Sequence, residues 1–437
     1  MNFNTVETLK RLEGFFERIG GVLGSDERRA SFAVYAMGIL SDAERKSVEP
    51  LAARACADVH KADAEHQRLL HFLVDSPWSD ESVRRESARF ALASMTEHEP
   101  VEAMILDDTG FLKQGKHSVG VQRQYTGSAG KVTNCQIGVS LTLATRTEHL
   151  PIDFALYLPR CWADDLDKRR EGRIPDHVSF KTKPELGLQL LESALAEGMP
   201  KGVVLADAAY GTSTKFRAEL RRLRLDYAVA VNSTTKVQLV KSGKTQNKVQ
   251  SLKSLARDLD KKDAFRRCTW RQGTHRLLAA RFVRRRVMVS DDEVVELLIE
   301  WRYGEIEPAN YFFVSMPKIE STKKLVRLVM QRWRTERAYE DLKGELGLDH
   351  YEGRRFPGWQ HHVSVVLSCY AFFVAERARS FPPSPTKIMD DNTLGSSAGA
   401  PLRRQLHHSP AHFLTRNRQL APEVSRVPPA GPTAVTQ

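Results

Sequence analysis

Two short apolar runs, AMIL at 103–106 and VVLA at 203–206, each stop on aspartate. Runs of this length, bounded by turn residues, read as buried strands rather than helices. α/β sheets carry their reactive groups at the carboxyl ends of central strands, where Asp207 and the pair Asp107 and Asp108 fall. Asp107 and Asp108 point to opposite faces of their strand. A single strand-end aspartate is more commonly a turn or helix cap. Two such strands in one chain raise the question of a third acidic partner.

The flanking sequence predicts a mixed α/β fold. EAMILDDTGF, HSVGVQRQYT, TNCQIGVSLTLAT and IDFALYLP are β-rich and separated by polar turns. KPELGLQLLESALAEG (183–198) is amphipathic and ends at Gly198 and Pro200. GVVLADAAYG follows, with Gly211 placed to let the chain turn, then the basic helix STKFRAELRRL and the strand DYAVAV. Strands first, then alternating helix and strand, give a sheet flanked by helices.

Residues 1–95 read as helices, with Ser41 as the N-cap of one of them. They form either a DNA-binding module or an ordinary helical subdomain. Residues 232–305 interrupt the alternation with a β-rich, basic insertion. Between 261 and 290 lie ten Lys or Arg and one acid, Asp263. Arg284, Arg285 and Arg286 belong to this run, which predicts a one-sided positive surface suited to phosphates. NYFFVSM then returns to the main sheet. Residues 379–437, rich in proline, read as a disordered tail.

The formal charge of +12 favours a polyanionic partner. The five cysteines lie far apart without CxxC spacing, which argues for reduced thiols and against structural zinc. With neither a signal peptide nor an apolar run of membrane length, a soluble intracellular protein with no membrane partner is expected.

The stretch RWRTERAYEDLK (332–343) lies in what the pattern predicts as one helix from Ser321 or Thr322 to Gly347, with Leu348 following its C-cap. At about 100° per residue, Arg327, Arg334, Asp341 and Glu345 share a solvent face. Leu325, Leu328, Val329, Tyr339 and Leu346 lie opposite, with Arg332, Glu336 and Lys343 projecting among them. Buried charge costs several kcal/mol per ion unless compensated. Those three residues form either a buried ionic network or part of a site. Three carboxylates converging from two strands and a helix would suit magnesium or manganese, which serve phosphodiester chemistry in pairs.

These motifs resemble the DDE transposases of bacterial insertion sequences, in the branch with a Y-x2-R-x3-E-x6-K signature. The signature lands on Arg332, Glu336 and Lys343, with Val329 in place of the tyrosine. LDDTGFLKQGKHSVGVQRQYTG and LADAAYG are similar to the two aspartate motifs. The resemblance implies a ribonuclease H-like catalytic domain at 96–231 plus 306–378, split by the insertion and preceded by a helical DNA-binding domain at 1–95. It implies a metal-binding catalytic triad of Asp107, Asp207 and Glu336, holding two Mg2+ or Mn2+ ions. Asp107 is preferred to Asp108 by the family's Asp-x-Thr pattern, and Glu340 is the weaker competitor for the third carboxylate. Arg332 and Lys343 would hold DNA phosphates, while Trp333 and Trp301 stack on a flipped base or simply fill a core. The paired His361 and His362 point apart on a helix, as surface or core histidines do. The expected partners are terminal inverted repeats, target DNA and a second copy in a DNA-bound homodimer, in a bacterial cytoplasm near the nucleoid. A catalytically silent DNA-binding remnant and a repair or resolution nuclease stand as alternatives.

Overall fold

The computed structural model describes residues 5–56, 59–272, 277–290, 293–319 and 321–382. The expected tail lies outside the described residues from 383 onward. The chain divides into two compact units: 1–94 with 172–174 and 340 onward, and 95–171 with 175–339.

In the second unit the strands are β1 (Ala103–Leu112), β2 (Gln122–Thr126), β3 (Lys131–Ala144), β4 (His149–Leu156), β5 (Val203–Ala206) and β6 (Tyr227–Ala230). They continue with β7 (Lys236–Lys241), β8 (Lys244–Ser251), β9 (Arg266–Gln272), β10 (Leu277–Ser290), β11 (Glu293–Trp301) and β12 (Asn310–Ser315). Among the described residues these make one sheet ordered β2-β3-β1-β5-β6-β12-β11-β10-β7-β8, with β4 on β3 and β9 on β10. β1, β3 and β4 are antiparallel neighbours, while β5 runs parallel to β1 and β6 to β5. The order β4-β3-β1-β5-β6 is that of a ribonuclease H-like fold. The 232–305 stretch is not a separate sheet; it extends this one through β11 and β12.

One face of the sheet is sealed by Ile105, Leu205, Phe312 and Val314 against Leu325, Val326 and Val329 of the helix Thr322–Val329. Each such side chain stabilises the fold by about 1.5–3 kcal/mol when fully buried. The other face lies under the helix Lys183–Ala196, whose Thr182 and Glu185 form a capping box. There a Cβ on Gly187 would already sit 3.0 Å from Leu106 Cδ1. Gly211 serves packing rather than a turn: a Cβ there would meet the Ala230 carbonyl oxygen at 2.1 Å.

The first unit is helical. Thr5–Leu23, Asp26–Leu40, Val48–Ala55, Ala62–Val74 and Asp80–Met95 are joined by Phe356–Ser380. That last helix is buried on every side from Trp359 to Ala375 except at Gln360, so it is the unit's core rather than part of the sheet unit. The expected catalytic segment 306–378 is thereby shared between the units, which part at residue 340. Ser41 ends the helix Asp26–Leu40, its hydroxyl donating to the Gly38 carbonyl, and does not start the next one. His361 sets Nδ1 2.7 Å from the Leu73 carbonyl oxygen and Nε2 3.1 Å from that of Trp78, both oxygens being acceptors, and stacks on Trp78, while His362 Nδ1 meets Tyr35 Oη at 2.9 Å. Both histidines are core residues. Cys135 and Cys369 are buried free thiols, whereas Cys161 is exposed. No helix among the described residues is long and apolar enough to cross a membrane.

Candidate active site

β1 and β5 pair in parallel with Ala103 opposite Val203 and Ile105 opposite Leu205. Two residues further, Asp107 lies on the face that Ile105 shares with the helix Thr322–Val329, and Asp207, just past the end of β5, is near enough for its charge to act on Asp107. Asp107 is 8% exposed. Asp207 caps the turn Ala208–Gly211, its Oδ1 accepting from the Ala209 amide at 2.9 Å. Asp207 is therefore a cap as well as a neighbour of Asp107.

Asp108 takes the opposite face, where Lys183 Nζ donates to both its carboxylate oxygens at 3.0 and 3.1 Å. Nothing in the sequence pattern pointed to Lys183, which sits at the first position of its helix. Burial raises the pKa of Asp108, and Lys183 opposes the rise.

The predicted continuous helix is broken. Thr322–Val329 keeps its Ser321 cap, but Met330–Arg332 is a 3-10 turn and a second helix runs Trp333–Gly344. A 3-10 turn advances about 120° per residue instead of 100°, so three residues rotate the later helix by about 60°. The expected faces shift accordingly. Arg334 and Asp341, expected in solvent, are buried; Arg334 donates to the Thr147 carbonyl at 3.0 Å and to that of Arg146. Glu336, expected among apolar side chains, has a 60% exposed side chain. Gly347 does turn the chain with φ +66°, as expected of a helix end.

Arg332 ties these elements together. Its Nη1 donates to Asp107 Oδ2 at 3.1 Å and its Nη2 to Glu336 Oε1 at 3.4 Å. Burial works against its charge, yet Asp107, Asp207 and Glu336 together raise its pKa. Asp107 is pushed up to about 7 by burial, with Arg332 opposing and Asp207 adding to the rise. Negative charge is crowded here and only partly answered by one guanidinium. Tyr339, three residues after Glu336, is buried with its hydroxyl 2.6 Å from Ser140 Oγ. Val329, at the signature's tyrosine position, is buried in the apolar cluster.

Among the described residues, no three acidic, histidine or cysteine side chains are already gathered around one point. The guanidinium holds Asp107 and Glu336 instead. The donor set nevertheless fits a hard divalent cation: carboxylate oxygens only, with Asp107 buried and close to Asp207.

The other expected residues fall in different places. Trp333 is half-buried under the Arg271 guanidinium, 3.8 Å from its ring centre. Trp301 is 6% exposed, its indole donating to the Glu305 carbonyl and its ring packed by Phe265 and Arg281. A ring so enclosed is core, not a platform for a base. Arg284, Arg285 and Arg286 are consecutive on β10, so they alternate between faces instead of making a one-sided surface. Arg284 pairs with Glu296, Arg281 with Asp260 and Arg266 with Asp263, so part of the insertion's charge is answered internally. Lys343 and Glu340 belong to the helical unit.

The family described as DDE superfamily endonuclease matches residues 18–277, more than half of the chain. The chain is also similar to the probable transposase for insertion sequence element IS701 of Microchaete diplosiphon, 30% identical over 237 residues. That match takes in 54% of this chain and 57% of the relative, so the chain spans little more than half of the relative's length. The family match includes β1 and β5 with both aspartates and stops short of Glu336. On its extent, and on the ribonuclease H-like sheet that carries those aspartates, the chain belongs to the DDE superfamily endonucleases.

Proposed function

We propose that this protein is a transposase that cuts DNA at the terminal inverted repeats of its insertion sequence and joins the freed 3′-hydroxyl to target DNA. The observation that carries the reading is the bridge of Arg332 between Asp107 and Glu336, with Asp207, at the end of the neighbouring strand, near enough for its charge to act on Asp107.

In this reading Asp107, Asp207 and Glu336 hold Mg2+ or Mn2+, two ions when the site is full. Such ions, when bound, would favour the attacking oxygen and stabilise the leaving one. The exposed Glu336 carboxylate turns toward the aspartates as Arg332 leaves it for a DNA phosphate, a bidentate exchange that suits a guanidinium. Lys183 keeps Asp108 on the far face, which leaves Asp107 as the ligand. Lys343, Trp333 and the exposed Arg286 of β10 contact DNA outside the carboxylates, as do Arg284 and Arg285 where their faces allow. The helical unit recognises the ends, and two copies pair on DNA because transposition joins two ends.

The test is strand cleavage of a duplex containing the element's end, with and without Mg2+ or Mn2+. Asp207→Ala and Glu336→Ala should bind the duplex like the wild type and fail to cut it. Wild-type binding without cutting would instead favour a silent remnant, and cutting of branched DNA without end preference a repair nuclease.

A further inference from the structure

From Thr109 to Thr147 the chain contains no acidic residue, while Lys113, Lys116, Arg123, Lys131 and Arg146 fall within it. Most of this stretch is the hairpin of β2 and β3. Tyr125 stands opposite Val132 and Arg123 opposite Asn134 on one face, and Thr126 stands opposite Lys131 on the other. Arg123 and Lys131 are exposed, Tyr125 is 63% exposed and Val132 54%. Tyr125 and Val132 thus present an exposed apolar pair between the hairpin's cations.

The hairpin is fixed at its turn rather than loose. Ser128 Oγ lies 3.2 Å from Thr109 Oγ1 and accepts from the Gly110 amide at 3.3 Å. Thr126 packs so closely on Gly110 that a Cβ there would fall 2.1 Å from its Oγ1. Thr109 is two residues from Asp107 and on the same face of β1. The turn therefore sits next to the carboxylates, and the two strands lead away from it.

We infer that this hairpin is a DNA-groove ribbon: it lies in the groove of the duplex flanking the cut, with Arg123 and Lys131 on phosphates. The inference deepens the proposed function and rests on it. A major groove admits a two-stranded ribbon, and cations on both faces of one match its two phosphate walls. The absence of any acid over the whole stretch is the charge pattern a polyanion requires.

The experiment uses the full chain and a fluorescein-labelled 30-base-pair duplex of mixed sequence, without divalent metal. Fluorescence anisotropy follows affinity across a series of salt concentrations. Each phosphate contact adds about 0.9 to the slope of log affinity against log salt. Arg123→Ala/Lys131→Ala should lower the slope by about 1.8, with thermal unfolding unchanged. Arg170→Ala/Lys201→Ala, which removes equal charge elsewhere on the same unit, should leave the slope as in the wild type. An Arg123→Ala/Lys131→Ala slope equal to that of the wild type, or an equal loss in both double variants, overturns the groove ribbon. A wild-type chain that does not bind the duplex at low salt overturns the transposase reading, and this inference with it.

Discussion

The guanidinium of Arg332 lies 3.1 Å from Oδ2 of Asp107, on the sheet face that the helix Thr322–Val329 covers. A fixed positive charge at that place competes with any cation the carboxylates would bind. Arg332→Ala should therefore bind Mn2+ more tightly than the wild type in the absence of DNA, by about tenfold or about 1.4 kcal/mol. The same variant should cut DNA poorly, because the phosphate loses its partner. Calorimetric titration with Mn2+ measures the first effect; equal affinities would remove Arg332 from the site.

Asp107 and Asp108 face opposite ways, so their substitutions should differ in kind. Asp107→Asn is expected to abolish cleavage. Asp108→Asn, which only frees Lys183, should lose about tenfold, as residues one step removed from a metal do. Comparable losses in a cleavage assay would show that the two faces are not distinct.

Glu293 accepts from Arg217 Nε and Nη2 at 2.8 Å each, from Arg221 at 2.7 Å and from the Tyr227 hydroxyl at 3.1 Å. This network, which also ties Arg217 to the Gly211 carbonyl at 2.7 Å, joins β11 to the turn that carries Asp207. Glu293→Ala strands two arginines, one fully buried, and should cost about 3–5 kcal/mol in urea unfolding. A loss below about 1 kcal/mol would make the network incidental.

Burial opposes ionisation of Glu293, but Arg217 and Arg221 outweigh it and lower its pKa from the ordinary 4.5. With the folded value below the unfolded one, the stabilisation is complete above about 4.5 and is lost as pH falls through the folded value. Urea unfolding of the wild type should weaken more steeply with acid below about pH 4.5 than that of Glu293→Ala. Parallel pH profiles would contradict this.

Gly211→Ala places a methyl group against the Ala230 carbonyl oxygen. Relief requires the Asp207 turn to move from β6, at about 1–3 kcal/mol. The variant should lose melting temperature and cleavage together. Wild-type values for both would mean that the turn yields freely.

The two aspartates and their strands were legible because four apolar residues followed by Asp carry a local meaning that tertiary structure did not override. The face of Asp107 was also readable, by alternation from Ile105. What lay beyond reading was the phase of the later helix. One 3-10 turn at Met330–Arg332 moved Arg334 and Asp341 inward and Glu336 outward, and no residue in MQR announces it. Trp301 stayed open between base platform and core because the sequence does not show that Phe265 and Arg281 enclose it. The helix Phe356–Ser380 is buried nearly all round and read as more of the sheet domain, although it forms the heart of the helical unit.

The central claim is that Asp107, Asp207 and Glu336 attend one cation site. Fe2+ supplied in place of Mg2+ or Mn2+, with ascorbate and peroxide, cuts the polypeptide next to where it binds, and mass spectrometry locates the cuts. Cuts near 107, 207 and 336 together, each lost in Asp207→Ala, are the expected result. Cuts near only one of the three, or a pattern indifferent to Asp207→Ala, would contradict the shared site.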